Sequence, residues 1–443
     1  MTVIIERDGP VTSVLINRPA VRNCVDHPTA LALRAAFKEF EADDEQKVAI
    51  LGGVGGTFCA GYDLKQASSG AGKFYEPEGE GPMGPTRMLM DKPVIAAVDG
   101  YAVAGGLELA VWCDMRVMED DATFGVFCRR WGVPLIDGGN VRLPRLIGIQ
   151  NALPLMLEGK DLTPQKAAKL GIVHKLAPEG EILAEAKRWL LEEGDAVQPW
   201  DKKGFKIPGG GPVTPGVAQV FVAGNAMLQD KTKRNYPAQL NIMSSVYEGT
   251  IVDIDTGLKI ESRYFVNCVM SPEAKNLTRF FFSMTAANKL ANRPKGVDRQ
   301  KFSKVGVLGA GMMGAGIAYV TARAGMDVVL LDVDQAAAEK GKAYSEGLVG
   351  KAVKRGRMAE DQAAEMLGRI KPTTDYNDLA GCELVIEAVF ENRELKADVT
   401  AKTEAVLAED AIFASNTSTL PITGLAEASK RPGNFIGLHF FSP

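Results

Sequence analysis

Three groups of residues could do chemistry. The first is a glycine series: Lys304 to Asp334 reads KVGVLGAGMMGAGIAYVTARAGMDVVLLDVD, an apolar strand, then Gly309-x-Gly311-x-x-Gly314, a helix, and a second strand ending at Asp332, 23 residues beyond Gly309. Gly309 permits a tight turn, Gly311 lets backbone approach a pyrophosphate, and Gly314 lets the helix close on the strand. Met312 and Met313 open that helix, whose first N–H groups suit phosphate. Asp332 would accept from both adenosine ribose hydroxyls and repel a 2′-phosphate, so the spacing predicts NAD rather than NADP. A glycine-rich turn without a ligand is the alternative. The second group centres on Glu108, alone on the apolar helix LELAVW, where a buried carboxylate must be paired, protonated or catalytic. The third is His439, one of only 3 histidines, set between apolar residues where a satisfied core imidazole is the usual reading.

The elements that must position these groups read as α/β. Over the first 195 residues, β-rich runs (Val11 to Ile16, Val48 to Leu51, Val94 to Val98) alternate with helical stretches such as Pro28 to Phe40. Trp200 to Gly216, WDKKGFKIPGGGPVTPG, breaks the pattern with Pro and Gly and reads as a linker. Residues 217 to 300 read as connecting helices without a site-like cluster, and a second α/β unit starts at Lys304. The expected division is therefore 1–195, 196–300 and 301–443. The chain has 443 residues with 51 Lys plus Arg against 55 Asp plus Glu, so no bulk charge draws it to nucleic acid or an acidic membrane. Its six cysteines form no Cys-x-x-Cys and no metal-ligand spacing, which predicts a reducing cytoplasm and no metal. The start, MTVIIERDGP, lacks a basic region before an apolar stretch, and no run of 18 apolar residues occurs, so neither secretion nor membrane spanning is expected.

The glycine unit is followed by ELVIEAVFENRELK (Glu383 to Lys396), FASNTSTL (Phe413 to Leu420) and GLHFFSP (Gly437 to Pro443). Together, over residues 301 to 443, these resemble the NAD domain of the 3-hydroxyacyl-CoA dehydrogenases, a doubly wound Rossmann-type fold. The resemblance implies that His439 takes the proton of a 3-hydroxyl while hydride leaves C3 for the nicotinamide. It implies that Ser418 hydrogen-bonds the substrate oxygen, that Asn416 shapes the site, and that Glu387, Glu391 and Lys396 line the cofactor. In that family a glutamate about a dozen positions beyond the histidine orients it, and a helical domain completes the acyl pocket. The sequence shows neither, so NAD binding with weak or absent turnover is expected unless another chain supplies them.

FCAGYDLK (Phe58 to Lys65) and KPVIAAVDGYAVAGGLELAVWCD (Lys92 to Asp114) resemble the crotonase, or enoyl-CoA hydratase and isomerase, superfamily over residues 1 to about 195. The implied fold is a ββα spiral, and the implied chemistry is stabilisation of a thioester enolate. The backbone N–H groups of Tyr62 and Gly105 would form the oxyanion hole, the latter at a helix N-terminus. Ala60 and Lys65 would contact CoA, a solvated lysine being the alternative at Lys65. Glu108 matches the first of two glutamates that hold and add water. The second falls at Cys128, and a thiol is a feeble general acid there. Asp137 is the nearest replacement carboxylate, unless it caps the turn before Asn140. Arg129 and Arg130 read as contacts to CoA phosphates or as subunit ion pairs.

Joined in one chain, the two units match consecutive hydration and oxidation of acyl-CoA thioesters in fatty-acid β-oxidation, and resemble the α subunit of the multifunctional fatty-acid oxidation complex. The leading expectation is an enoyl-CoA hydratase fused to an incomplete 3-hydroxyacyl-CoA dehydrogenase. Enoyl-CoA isomerisation or other enolate chemistry is the alternative within catalysis, and a non-catalytic CoA- and NAD-binding subunit is the alternative outside it. The resemblance further implies a homo-oligomer or a thiolase partner.

Overall fold

The computed structural model describes residues 1–69, 79, 81–192 and 197–442, with the side chains of 190–192 left aside. The chain divides into two compact units, Met1–Arg293 and Pro294–Pro443. Among the described residues no helix is long and apolar enough to cross a membrane.

Among its described residues the first unit has nine strands: β1 (Val3–Asp8), β2 (Val11–Ile16), β3 (Val48–Gly53), β4 (Val94–Val98), β5 (Tyr101–Val103), β6 (Met115–Glu119), β7 (Thr123–Gly125), β8 (Asp161–Leu162) and β9 (Lys175–Ala177). A six-stranded sheet runs in the order β1-β2-β3-β4-β6-β9, antiparallel at β1–β2 and parallel elsewhere. The short strands β5, β7 and β8 make a second sheet. The chain thus winds as a spiral. Each turn lays a strand in the large sheet, a short stretch in the small one, then a helix: β4, β5 and Gly105–Trp112 form one turn, and β6, β7 and Gly139–Ile147 the next. Every residue of β2 and β4 is buried, which explains why both read as continuous rather than alternating apolar runs. The His27–Ala42 helix starts where Asp26 accepts from the Thr29 amide at 3.0 Å, and it buries Ala30, Leu33, Phe37 and Phe40 along one stripe.

The expected division at residue 195 differs from the compact unit. Helices Pro215–Thr232, Pro237–Gly249, Ile254–Val269 and Pro272–Asn288 pack on the spiral instead of standing apart as connectors. Ile242, Met243 and Val246 join the same hydrophobic core as Phe37 and Leu107. The Pro/Gly-rich stretch is also no free tether: Gln198 just before it is buried and donates to the carbonyl oxygens of Trp112 (3.3 Å) and Cys113 (2.8 Å). Proline and glycine there shape a surface path, which composition alone cannot tell from a linker.

The second unit is a six-stranded, all-parallel sheet of β10 (Lys304–Leu308), β11 (Asp327–Leu331), β12 (Ile370–Thr373), β13 (Leu384–Glu387), β14 (Ile412–Ser415) and β15 (Phe435–Gly437). The order is β12-β11-β10-β13-β14-β15. The order reverses at β10, so its carboxyl end is the switch point where such sheets open a crevice for ligands.

Candidate active sites

In the first unit the helix Gly105–Trp112 is buried along its whole length, and Glu108 is its only ionisable residue. Its N-terminus is set by Ala104, which holds φ +53°, a left-handed conformation unusual for alanine. Two hydrogen bonds fix it, from the Ala104 amide to the Gly125 carbonyl (2.9 Å) and from the Glu108 amide to the Ala104 carbonyl (3.2 Å). A side chain at Gly106 would meet the Cys59 carbonyl oxygen at 1.9 Å, so only glycine lets the helix come this close to the Cys59–Asp63 segment. A methyl at Gly61 would lie 3.2 Å from the Gly105 nitrogen. Val25 takes the Gly61 carbonyl and the Asp63 amide, which turns the Tyr62 peptide to the side away from Val25. The segment of Tyr62 and the helix start at Gly105 are therefore neighbours. The Tyr62 hydroxyl donates to Gln66 at 3.0 Å, and its side chain packs against the small apolar cluster of Ile136 and Phe265.

Glu108 is 1% exposed. Its Oε1 accepts from the amides of Asp137 (2.7 Å) and Gly139 (2.9 Å), while Oε2 has one long contact, to the Ile136 amide at 3.4 Å. Burial, with the nearby carboxylates of Asp137 and Glu261, raises its pKa well above the ordinary range, and the two short amide bonds only partly offset this. Oε2 is the oxygen left for proton traffic.

Several sequence expectations change here. Asp137 does not cap the turn before Asn140. Its Oδ1 accepts from the Met83 amide (3.0 Å) and the Thr86 hydroxyl, so the carboxylate braces the 83–86 turn. Its own pKa is raised by burial. Cys128 is half-buried, and burial together with Glu108, Asp137 and Glu261 pushes its thiol well above the ordinary value. Such a raised proton affinity makes the thiol a poor nucleophile and a poor proton donor. Arg129 and Arg130 are turned to the end of the Ile149–Glu158 helix instead of standing free for phosphates. Arg129 donates to the Glu158 carbonyl (3.0 and 2.6 Å) and Arg130 to that of Gly159 (3.0 and 2.6 Å), cations capping a C-terminus. Lys65 is exposed at the start of the Leu64–Ser69 helix, and the Ala60 amide donates to the Arg22 carbonyl at 3.0 Å.

The residue that the sequence reading missed is Glu261, fully buried on the Ile254–Val269 helix. Its Oε2 accepts from the Gly138 amide and its Oε1 from the Asn140 amide, both at 2.7 Å. Burial, with help from Asp137, pushes its pKa up to about 7. The available signal is its place on the buried stripe Leu258, Glu261, Ser262, Phe265, a carboxylate where the period demands an apolar residue.

In the second unit the glycine loop fits a dinucleotide. Gly309 has φ +88°, and a Cβ at Gly314 would lie 1.6 Å from the Gly309 carbonyl oxygen, so the helix Met312–Arg323 closes directly on the turn. Gly311 has open space where a side chain would be, and Met312 is exposed, leaving the helix N-terminus accessible. Asp332, at the end of β11, accepts from the Ala310 amide (2.5 Å) and the Val333 amide (2.6 Å), which holds its carboxylate over the loop with lone pairs to spare for ribose hydroxyls.

Glu387 and Lys396 do not line this crevice. They are 1% and 3% exposed and pair with each other, Lys396 Nζ lying 2.8 Å and 2.9 Å from the two oxygens of Glu387. Ser415 also donates to Glu387. Glu391 is partly exposed, accepts from the Thr417 hydroxyl and the Ser418 amide (3.3 Å), and lies 3.3 Å from Lys396. The three charges thus brace the loops after β13 and β14. Ser418 is exposed on that brace. The His439 segment is docked beside it by the Leu438 amide on the Ser415 carbonyl (2.9 Å) and the Phe440 amide on Asn416 Oδ1 (2.7 Å). His439 is exposed, not a core imidazole; its ring lies 5.0 Å from that of Phe441, tilted by 39°, and among the described residues no hydrogen bond orients it.

The first unit thus holds a buried carboxylate near a helix-start amide, and the second a glycine-rich cradle suited to a dinucleotide. Residues 6–195 match the enoyl-CoA hydratase/isomerase family model, and residues 304–443 match that of the 3-hydroxyacyl-CoA dehydrogenase NAD binding domain. The first unit is similar to the one family over its matched residues, and the second unit matches an NAD binding domain. It is similar to a fatty acid oxidation complex subunit alpha of Shewanella amazonensis, 34% identical over 99% of this chain and 63% of that protein. It is 30% identical, over its whole length and 62% of the relative, to a peroxisomal fatty acid beta-oxidation multifunctional protein of Arabidopsis thaliana. A carnitinyl-CoA hydratase structure from Mycobacterium avium covers 64% of this chain and 96% of its own at 26% identity, with TM-score 0.48. The chain spans about three fifths of the length of the two curated relatives.

Proposed function

We propose that the first unit hydrates trans-2-enoyl-CoA thioesters through a stabilised enolate, and that the second oxidises the resulting 3-hydroxyacyl-CoA with NAD. The observation that carries the first half is Glu108, a carboxylate with one oxygen held only by a long 3.4 Å contact, one helical turn from the Gly105 amide and its neighbour Tyr62. The thioester oxygen, charged as water bonds to C3, would sit between those two amides, where losing one donor costs about 3 to 4 kcal/mol of transition-state stabilisation. Glu108 Oε2 takes the proton that water loses and returns it to C2, so atoms and charge balance within one carboxylate. Ala60 and Lys65 would meet CoA.

Cys128 favours a second reading, movement of the double bond. Isomerisation needs only one carboxylate, which removes a proton from C2 of a 3-enoyl-CoA and returns it to C4, and a protonated thiol is no obstacle.

For the second unit, Gly309, Gly311 and Gly314 with the amides of Met312 and Met313 would hold the pyrophosphate, and Asp332 the ribose. NAD, when bound, supplies the hydride acceptor. His439 would take the 3-hydroxyl proton, with Ser418 on the substrate oxygen and Asn416 holding the segment. A cytoplasmic site of action, self-association and a thiolase partner, which would consume a 3-oxoacyl product, complete the proposal; native mass in cell extract reads out the last two.

The test is loss of enone absorbance with a short trans-2-enoyl-CoA, run beside Glu108→Gln. Loss in the parent and none in the variant supports hydration. Gain of enone absorbance from a 3-enoyl-CoA, with hydration arising only in Cys128→Glu, overturns hydration in favour of isomerisation. No reaction in any protein leaves a CoA- and NAD-binding subunit.

A further inference from the structure

We propose that Glu261 is a positioning residue of the first site, setting the orientation and proton affinity of Glu108 through the Ile136–Asn140 loop. The inference rests on the reading of Glu108 as the catalytic carboxylate. Five consecutive amides of that loop are shared between two buried carboxylates: Glu108 accepts from Ile136, Asp137 and Gly139, and Glu261 from Gly138 and Asn140. From Asp137 to Asn140 the N–H groups go in turn to Glu108 and Glu261. If Glu261 lets go, the amides of 137 and 139 are no longer held toward Glu108, and Oε2 loses its fixed direction.

Titratable and charged groups from several packed elements surround Glu261. Glu108 comes from the Gly105–Trp112 helix, Asp137 from the loop and Cys128 from the short helical turn Cys128–Trp131. Arg142 comes from the Gly139–Ile147 helix and Arg87 from the segment before β4. Arg142 donates to the carbonyls of Asp137 and Thr86, both at 2.7 Å. Arg87 donates to the Ser262 hydroxyl at 2.9 Å. Glu108 and Glu261, both buried, repel each other across the loop. Coulomb repulsion there is weakly screened, and removing the charge of Glu261 must lower the proton affinity of Glu108.

The experiment compares the full chain with Glu261→Gln, Glu261→Asp and Glu108→Gln on a short enoyl-CoA. Glu261→Gln should lower kcat about ten- to hundredfold, the scale of a displaced catalytic group, with KM within about twofold. Whichever limb of its pH profile Glu108 governs should move to lower pH. Glu261→Asp keeps the charge and should keep the parent pH profile at reduced kcat. Unchanged kcat and pH profile in Glu261→Gln, with Glu108→Gln inactive, overturns the role of Glu261 alone. Full activity in Glu108→Gln overturns the underlying reading. Should the Glu261 variants not fold, or the parent not turn over, amide hydrogen exchange on the unsubstituted chain decides: Gly138 and Asn140 should be as protected as Asp137 and Gly139, and fast exchange at those two refutes the clamp.

Discussion

Each unit buries a glutamate at the carboxyl side of its site, and the two are treated in opposite ways. Glu387 is met by the ammonium of Lys396 and by a serine hydroxyl, so its charge is neutralised in place and serves to tie loops together. Glu108 is given only backbone amides, with two further carboxylates nearby, so its charge is kept costly. A paired buried carboxylate is scaffold. An unpaired one under repulsion has its proton affinity raised, the direction general acid–base work requires.

The contrast breaks most visibly at Glu108. Glu108→Gln should cost about 10²- to 10⁴-fold in enoyl-CoA turnover while leaving urea stability near the parent's, since a neutral amide suits that desolvated place. Lys396→Met should do the reverse: leaving Glu387 buried and unpaired, it should cost about 3 to 5 kcal/mol in urea unfolding, and the double variant with Glu387→Gln should recover part of it. Equal stability losses at the two glutamates would erase the distinction.

A subtler effect is pH. Because the folded-state pKa of Glu261 stands at about 7, above its ordinary value of 4.5, the folded chain binds a proton the unfolded chain lacks between those values. That contribution is complete below pH 4.5 and is lost as pH rises through about 7. Urea midpoints of the first unit should therefore fall over this interval in the parent and fall less in Glu261→Gln. Smallest is Asp332→Asn, which should narrow the preference for NADH over NADPH by about tenfold, read by fluorescence titration, without touching enoyl-CoA chemistry.

Much of this was legible in the sequence. Glu108 stood out because a carboxylate interrupts an apolar helix, and the Gly309 to Asp332 unit because strand, glycines, helix and acid follow at fixed spacing. Glu261 was not, because its partners Gly138 and Asn140 lie more than 120 residues away and its helix had been set outside the unit. Cys128 and Asp137 were located but not their surroundings: a thiol's state depends on carboxylates from other elements, and Asp137 turns to a loop some 50 residues earlier. Arg129 and Arg130 read as phosphate ligands because nothing local reveals a helix end at Glu158. Glu387 and Lys396 were assigned to cofactor lining, whereas nine-residue spacing across a strand end and the following helix lets them satisfy each other.

The central claim is that a thioester carbonyl is polarised between the amides of Tyr62 and Gly105. Infrared difference spectroscopy of a saturated acyl-CoA carrying carbon-13 at the thioester carbonyl, bound to the parent chain, tests it most directly. A carbonyl stretch moved to lower frequency than in water is the predicted result, and a stretch at or above its solution frequency would contradict the account.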